Sequence, residues 1–145
     1  MHATPEQARI LREAVAAIKA HPETFEMSIW AGHNFNESNE PCGTVCCLAG
    51  QVVRNSVDDT AWADLVRQEE NTNRTPIKDK AIAMLEIYEW QSNRLFVSEY
   101  WPEAFKPDVG CICDADDDAE CFCSLMNPTP EQLEARVEHW IETGE

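Results

Sequence analysis

The chain has 145 residues, with 27 acidic residues against 11 lysines and arginines, and a formal net charge of −16. This length is typical of one domain, and an apolar share of 43% is enough to build a core. Because phosphate backbones and anionic lipids repel so acidic a chain, the composition argues against direct binding to nucleic acid or to a membrane surface. The acidity is explained either by a basic protein partner or by a need for solubility or for adaptation to a salty cytoplasm.

The chain also lacks a sequence signal for export or membrane insertion. No apolar stretch approaches the roughly 20 residues that a membrane-spanning helix needs. The first residues, MHATPEQARILREAV, are polar and amphipathic and contain no signal-peptide core. We therefore predict a soluble, cytoplasmic protein.

The first predicted helix covers TPEQARILREAVAAIKAHP. Thr4 is placed as its N-cap, Pro5 as its first residue and Gln7 as the closing residue of a capping box, and Pro22 ends it. Its apolar stripe, at helical spacing, consists of Ile10, Leu11, Ala14, Val15 and Ile18. After it, EMSIW is the best candidate for a short extended piece.

Further helices are predicted in GTVCCLAGQVVRN, DDTAWADLVRQEE, TPIKDKAIAMLEIYE and EWQSNRLFVSEYW. The first of these is apolar almost all round, which is typical of the central helix of a bundle. The last predicted helix, TPEQLEARVEHWIETGE, repeats the opening TPEQ with Thr129 as N-cap. We predict a mainly α protein, with residues 1–145 in a single compact helical domain and two long irregular segments at 31–43 and 106–128.

The first cysteine cluster, PCGTVCCLAG, is open to three interpretations. Cys42, just before a helix capped by Thr44, has the position of a thiol nucleophile with a depressed pKa. Cys42 and Cys46 with His33 offer zinc ligands. Alternatively, these are small apolar residues that pack a central helix. We favour packing, because no histidine has a spacing that identifies it as a catalytic base.

Four blocks of the chain resemble a family of small uncharacterised proteins of bacteria, notably actinobacteria, and of their phages. They are HPETFEMSIW, CGTVCCLAG, RLFVSEYWPEAF and ARVEHWIETGE. The family pattern is Cys-Gly-Thr-x-x-Cys-hydrophobic-Ala-Gly, which Cys42 and Cys47 match, whereas Cys46 stands at a variable position. The resemblance implies that Cys42 and Cys47 are a contact pair, either a disulfide or two packed thiols. It implies no activity.

The acidic loop CICDADDDAECFC contains a second cysteine cluster, which the family pattern lacks. A calcium site is not favoured, because Ala119 and Leu125 stand where a calcium loop needs glycine and glutamate. Structural zinc, disulfides and unliganded thiols all remain open. The candidate zinc ligands are Cys111, Cys113, Cys121 and Cys123.

The C-terminal third carries most of the charge, since residues 99–145 hold 13 acids against Lys106 and Arg136. We predict a non-enzymatic interaction protein that binds a basic protein surface, as an inhibitor or a nucleic-acid mimic. The alternative is a small zinc- or thiol-dependent enzyme that uses the Cys42 region or the acidic loop. The predicted partner-binding residues are Asp114, Asp116, Asp117, Asp118, Glu120 and Trp101.

Trp101 belongs to an aromatic group near Pro102 that favours a core corner over a ligand cage. It becomes an interface anchor only if it is exposed. The other members of the group are Trp90, Tyr100 and Phe105.

Overall fold

The computed structural model describes residues 2–25, 31–35, 41–71, 76–97, 100–105 and 128–145; within them, the side chains of 24, 31–35, 41–46, 70 and 71 are not described. In this part of the chain six α-helices dominate, which confirms the mainly helical prediction. They are α1 Pro5–Ala20, α2 Leu48–Arg54, α3 Asp59–Asn71, α4 Pro76–Leu85, α5 Glu89–Phe96 and α6 Pro130–Thr143. Short 3₁₀ helices cover Pro22–Thr24 and Glu103–Phe105.

The two TPEQ sequences start α1 and α6 in the same way. In α1 the Gln7 amide donates to Thr4 Oγ1 at 3.2 Å, and the Thr4 amide donates to Gln7 Oε1 at 2.7 Å. In α6 the same two bonds join Thr129 and Gln132, at 3.2 and 2.8 Å. Because these bonds satisfy amides that have no partner inside a helix, both predicted capping boxes are confirmed.

The segment before α2 differs from the prediction. Residues 31–43, expected to be irregular, contain strand β1 (Ala31–Phe35), which pairs antiparallel with strand β2 (Pro41–Cys46) and has a register irregularity between Asn34 and Phe35. The helix begins at Leu48, and Thr44 is not its cap. A short apolar run such as GTVCC fits a strand as well as a helix, so its periodicity does not decide between them. Pairing with β1 decides in favour of a strand.

One apolar core draws on all six helices. Every residue of α2 from Leu48 to Val53 is buried, which confirms its predicted central position. α2 packs against α1 and α4, and α1 also packs against α6. The short helix α5 lies against α6. The N-terminal and C-terminal helices thus lie side by side.

The structure does not test two of the predicted segments. The extended piece EMSIW, residues 26–30, lies outside the described residues, as does nearly all of the second irregular segment, 106–128. Among the helices that the structure describes, none combines the length and the apolar character required to cross a bilayer.

Candidate functional site

Most of the predicted site residues belong to the acidic loop, which lies outside the described residues. This applies to the partner-binding residues Asp114, Asp116, Asp117, Asp118 and Glu120 and to the zinc ligands Cys111, Cys113, Cys121 and Cys123. Their roles stay predictions. Within the described ranges, no three His, Cys, Asp or Glu side chains come together as a metal site.

The structure corrects the predicted role of Trp101. Its side chain is 2% exposed, and its indole nitrogen donates to the main-chain oxygen of Leu95 at 3.2 Å. A buried indole has no surface to offer to a partner, so Trp101 is a core residue. The aromatic group around Pro102 therefore divides: Trp101 is buried and Phe105 half-buried, whereas Trp90 and Tyr100 are exposed.

Arg136 is a buried cation that the sequence analysis counted only as a charge. Its side chain is 0% exposed, and no described carboxylate side chain contacts it. Nη1 donates to the main-chain oxygen of Glu145 at 2.6 Å, and Nη2 donates to that of Arg94 at 2.9 Å. Nε has no partner. Burial, and secondarily the nearby Arg94 charge, lowers the pKa of Arg136 to about 10, so the guanidinium stays charged at neutral pH.

The two acceptors of Arg136 explain how this charge is tolerated. Arg94 lies in the last turn of α5, and Glu145 lies just beyond the C-terminal end of α6. Carbonyl groups at the C-terminal end of a helix lack intrahelical donors and carry the negative end of the helix dipole. Arg136 therefore caps the C-terminal end of α5 through Arg94 and also holds Glu145, the residue after the C-cap of α6, while Trp101 caps the neighbouring α5 carbonyl of Leu95.

Burial of Arg136 leaves the surface of the C-terminal segment acidic. Residues 128–145 contain five acids, and Arg136 is their one lysine or arginine. Since this cation points inward, the segment presents carboxylates only. They belong to Glu131, Glu134, Glu138, Glu142 and Glu145.

Several cations elsewhere are also neutralised by acids of the chain itself. Arg12 makes a two-pronged bond to Glu138, at 2.8 and 2.7 Å, and Lys19 bonds Glu134 at 2.8 Å. The Arg12 guanidinium holds the pKa of the Glu138 carboxyl below its ordinary value. Described cations in ion pairs are Arg9, Arg12, Lys19, Arg67 and Lys78.

A shallow groove of about 420 Å³ lies between α1 and α6. The Arg12–Glu138 and Lys19–Glu134 ion pairs lie along it, and its apolar lining consists of Val15, Ala16 and Val137. Each charged group in the lining is paired with another group of the same lining. The groove therefore has the character of a packing seam between two helices.

The first cysteine cluster is partly described. Cys47 is the N-cap residue of α2 and is 1% exposed, and burial raises the pKa of its thiol to about 12. Such a thiol is protonated at neutral pH and is not a nucleophile, so for Cys47 the structure supports packing. In the hairpin, His33 pairs with Thr44, two residues from both Cys42 and Cys46. The side chains of those three candidate ligands are not described, so the zinc and thiol hypotheses for them stay predictions.

The exposed aromatic residues around α5 are the surface feature that the sequence analysis missed. Buried Ser92, Leu95 and Phe96 define the inner side of α5, and helical spacing from them places Trp90 on the outer side. The same spacing, applied to the sequence, is the signal that identifies Trp90 as a surface residue.

Comparison of the chain with protein-family models, with curated proteins and with solved structures gives no match. The resemblance to a bacterial and phage family stays a prediction, and the functional argument depends on the geometry and charge of the chain itself.

Proposed function

We propose that this protein is a non-enzymatic interaction protein whose acidic surface binds a basic surface of another protein. One observation carries the proposal. The C-terminal segment has five acids, and its single cation, Arg136, is buried. Two of the five carboxylates, Glu134 and Glu138, are paired with Lys19 and Arg12 of α1, and the other three, Glu131, Glu142 and Glu145, make no ion pair with a described residue. The segment therefore keeps an excess of negative charge, next in sequence to the acidic loop.

The overall charge supports the same partner. A chain with a net charge of −16 attracts basic surfaces over distances up to about the Debye length, roughly 10 Å at 0.1 M salt. Such complementarity raises the association rate and selects against acidic competitors. Since surfaces that bind nucleic acid are basic, we propose an inhibitor or nucleic-acid mimic as the specific form of this function.

The test uses a defined basic probe, a deca-arginine peptide, with a deca-serine peptide as the uncharged control. We expect the affinity for deca-arginine to fall as salt is raised from 50 to 500 mM, because salt screens the attraction. Deca-serine should not bind. Absence of salt-dependent binding to deca-arginine would refute the proposed function.

A pair of charge-matched variants tests the acidic loop. Replacing its four aspartates by lysine changes the formal net charge from −16 to −8. The control replaces four acids outside the C-terminal third by lysine, with the same net charge. We expect the loop variant to lose more affinity for deca-arginine than the control. Equal losses would mean that net charge alone attracts the probe, and would remove the loop from the interface. The loop variant changes Asp114, Asp116, Asp117 and Asp118, and the control changes Glu13, Glu23, Asp59 and Asp79.

A competition experiment tests the nucleic-acid mimic. A basic DNA-binding protein is loaded with labelled DNA, and this protein is added at increasing concentration. We expect DNA to be released, because both ligands need the same positive surface. Formation of a ternary complex with DNA still bound would contradict mimicry while leaving binding to a basic surface intact.

A further inference from the structure

Two ion pairs join α1 to α6. Arg12 donates from Nε and Nη2 to the two oxygens of the Glu138 carboxylate, at 2.8 and 2.7 Å, and Lys19 Nζ donates to Glu134 at 2.8 Å. Arg12 and Lys19 are seven residues apart, which is close to two helical turns, so both lie on the same side of α1. We call these four residues the α1–α6 clasp.

The clasp is accessible from solvent. The exposed fractions of its side chains are 57% for Arg12, 39% for Glu138, 41% for Lys19 and 45% for Glu134. Ion pairs as exposed as these contribute little to stability, because water and salt compete for both partners. The two helices are held mainly by the apolar core, and a cation from another molecule can reach either carboxylate of the clasp.

The surroundings of the clasp are more acidic than basic. The pKa of each cation is raised, first by the hydrogen bond to its clasp partner and more weakly by a second carboxylate of α6, which is Glu131 for Lys19 and Glu142 for Arg12. Neither Glu131 nor Glu142 makes an ion pair with a described residue. Four carboxylates of α6 therefore face two cations of α1, and these cations reduce the negative potential of α6 without cancelling it.

We infer that the α1–α6 clasp is an autoinhibitory contact: the two α1 cations occupy the carboxylates of Glu134 and Glu138, and lysine or arginine side chains of the basic partner displace them on binding. The inference depends on the proposed function, and it names two acids that the partner contacts and the internal contact that weakens its binding. An arginine-rich partner fits best, because a guanidinium binds a carboxylate through two parallel bonds, as Arg12 does with Glu138.

The experiment measures binding of the deca-arginine peptide to the wild-type chain and to two double variants. Arg12→Gln/Lys19→Gln removes the clasp cations and changes the formal net charge from −16 to −18. We expect it to bind about twofold to tenfold more tightly, because the peptide no longer has to break two exposed ion pairs. The control Arg67→Gln/Lys78→Gln also breaks two ion pairs, on α3 and α4, at the same net charge, and should gain less. Circular dichroism checks that the helices of both variants are intact.

A second readout uses the wild-type chain alone. In a ¹⁵N-labelled sample, the side-chain Nε–H signal of Arg12 should move when unlabelled deca-arginine is added, because this group loses its bond to Glu138. The Nε–H signal of Arg67, which belongs to a pair within α3, should move less. Each signal is identified by its loss from the corresponding double variant.

The possible outcomes separate this inference from the proposed function. Equal gains in affinity by the two double variants would show that net charge alone sets the affinity. An Arg12 signal that stays in place while the peptide binds would show that the clasp remains closed. Either result would overturn the inference and leave the proposed function standing. If deca-arginine binds no form of the protein at low salt, the proposed function fails and this inference fails with it.

Discussion

The buried Arg136 gives the sharpest test of how this fold is held together. The variants are Arg136→Ala, which removes the donors and the side-chain volume, and Arg136→Met, which keeps most of the volume. In both variants the main-chain oxygens of Arg94 and Glu145 lose their donors. α5 also loses a cation at its C-terminal end.

The expected magnitude comes mainly from the Arg94 oxygen and from the volume of the buried side chain. A buried polar group left without a partner costs about 1 to 3 kcal/mol, and this cost applies to the Arg94 oxygen. Glu145 is exposed, so water can replace the donor that its oxygen loses. Removing the guanidinium recovers part of this free energy, because burying the charge and an Nε that has no described hydrogen-bond partner is itself unfavourable. We expect Arg136→Ala to lower the free energy of unfolding by about 2 to 4 kcal/mol, from the partnerless Arg94 oxygen together with the cavity that the side chain leaves. Arg136→Met should lower it by about 1 to 3 kcal/mol, because it leaves no large cavity.

Urea unfolding followed by circular dichroism measures these differences, and hydrogen exchange locates them. The amide of Val97, which donates to Asn93 at the end of α5, should exchange faster in both variants, since α5 frays without its cap. Arg9→Ala, which removes exposed ion pairs only, is the control and should change stability little. If Arg136→Met is as stable as the wild type, the reasoning that Arg136 stabilises the end of α5 is refuted.

Two further predictions concern titration and thiol reactivity. The Glu69 carboxylate accepts a hydrogen bond from the Ile77 amide at 2.9 Å, and burial raises its pKa above the ordinary 4.5. The folded chain therefore binds the carboxyl proton of Glu69 more tightly than the unfolded chain does. The stability that this protonation contributes is lost as pH rises through the folded pKa. Glu69→Gln should therefore gain stability relative to wild type as pH rises from 4.5 to 7. The native pKa of Glu138 is lowered, so Glu138→Gln should lose stability relative to wild type as pH rises toward 4.5 and keep the same deficit above it. A trend of the opposite sign for either variant in urea titrations would contradict this. Cys47, with a pKa raised to about 12, should resist iodoacetamide at pH 8 in the folded chain and react with it in urea. Peptide mapping measures the modification at this residue. Equal rates of modification in the folded and the urea-unfolded chain would contradict its burial.

Local chemistry explains why the helix starts were predictable. A threonine, a proline and a glutamine within four residues satisfy the first amides of a helix by themselves, so both TPEQ sequences work without help from the fold. The apolar stripe of α1 and the all-round apolar surface of α2 likewise required burial wherever the rest of the chain lay. The same is true of the net charge, which follows from counting residues.

Only the tertiary structure decided the rest. The strand at Pro41–Cys46 depends on pairing with Ala31–Phe35, and the burial of Trp101 depends on the turn that brings its indole to Leu95. The sequence gives no sign that Arg136 is buried; its burial depends on α5 and the residue after the C-cap of α6, which bring main-chain oxygens within reach of the guanidinium. Contacts between residues distant in the sequence have no local signature, so the sequence determined which helices form, and packing determined which side chains reach the surface.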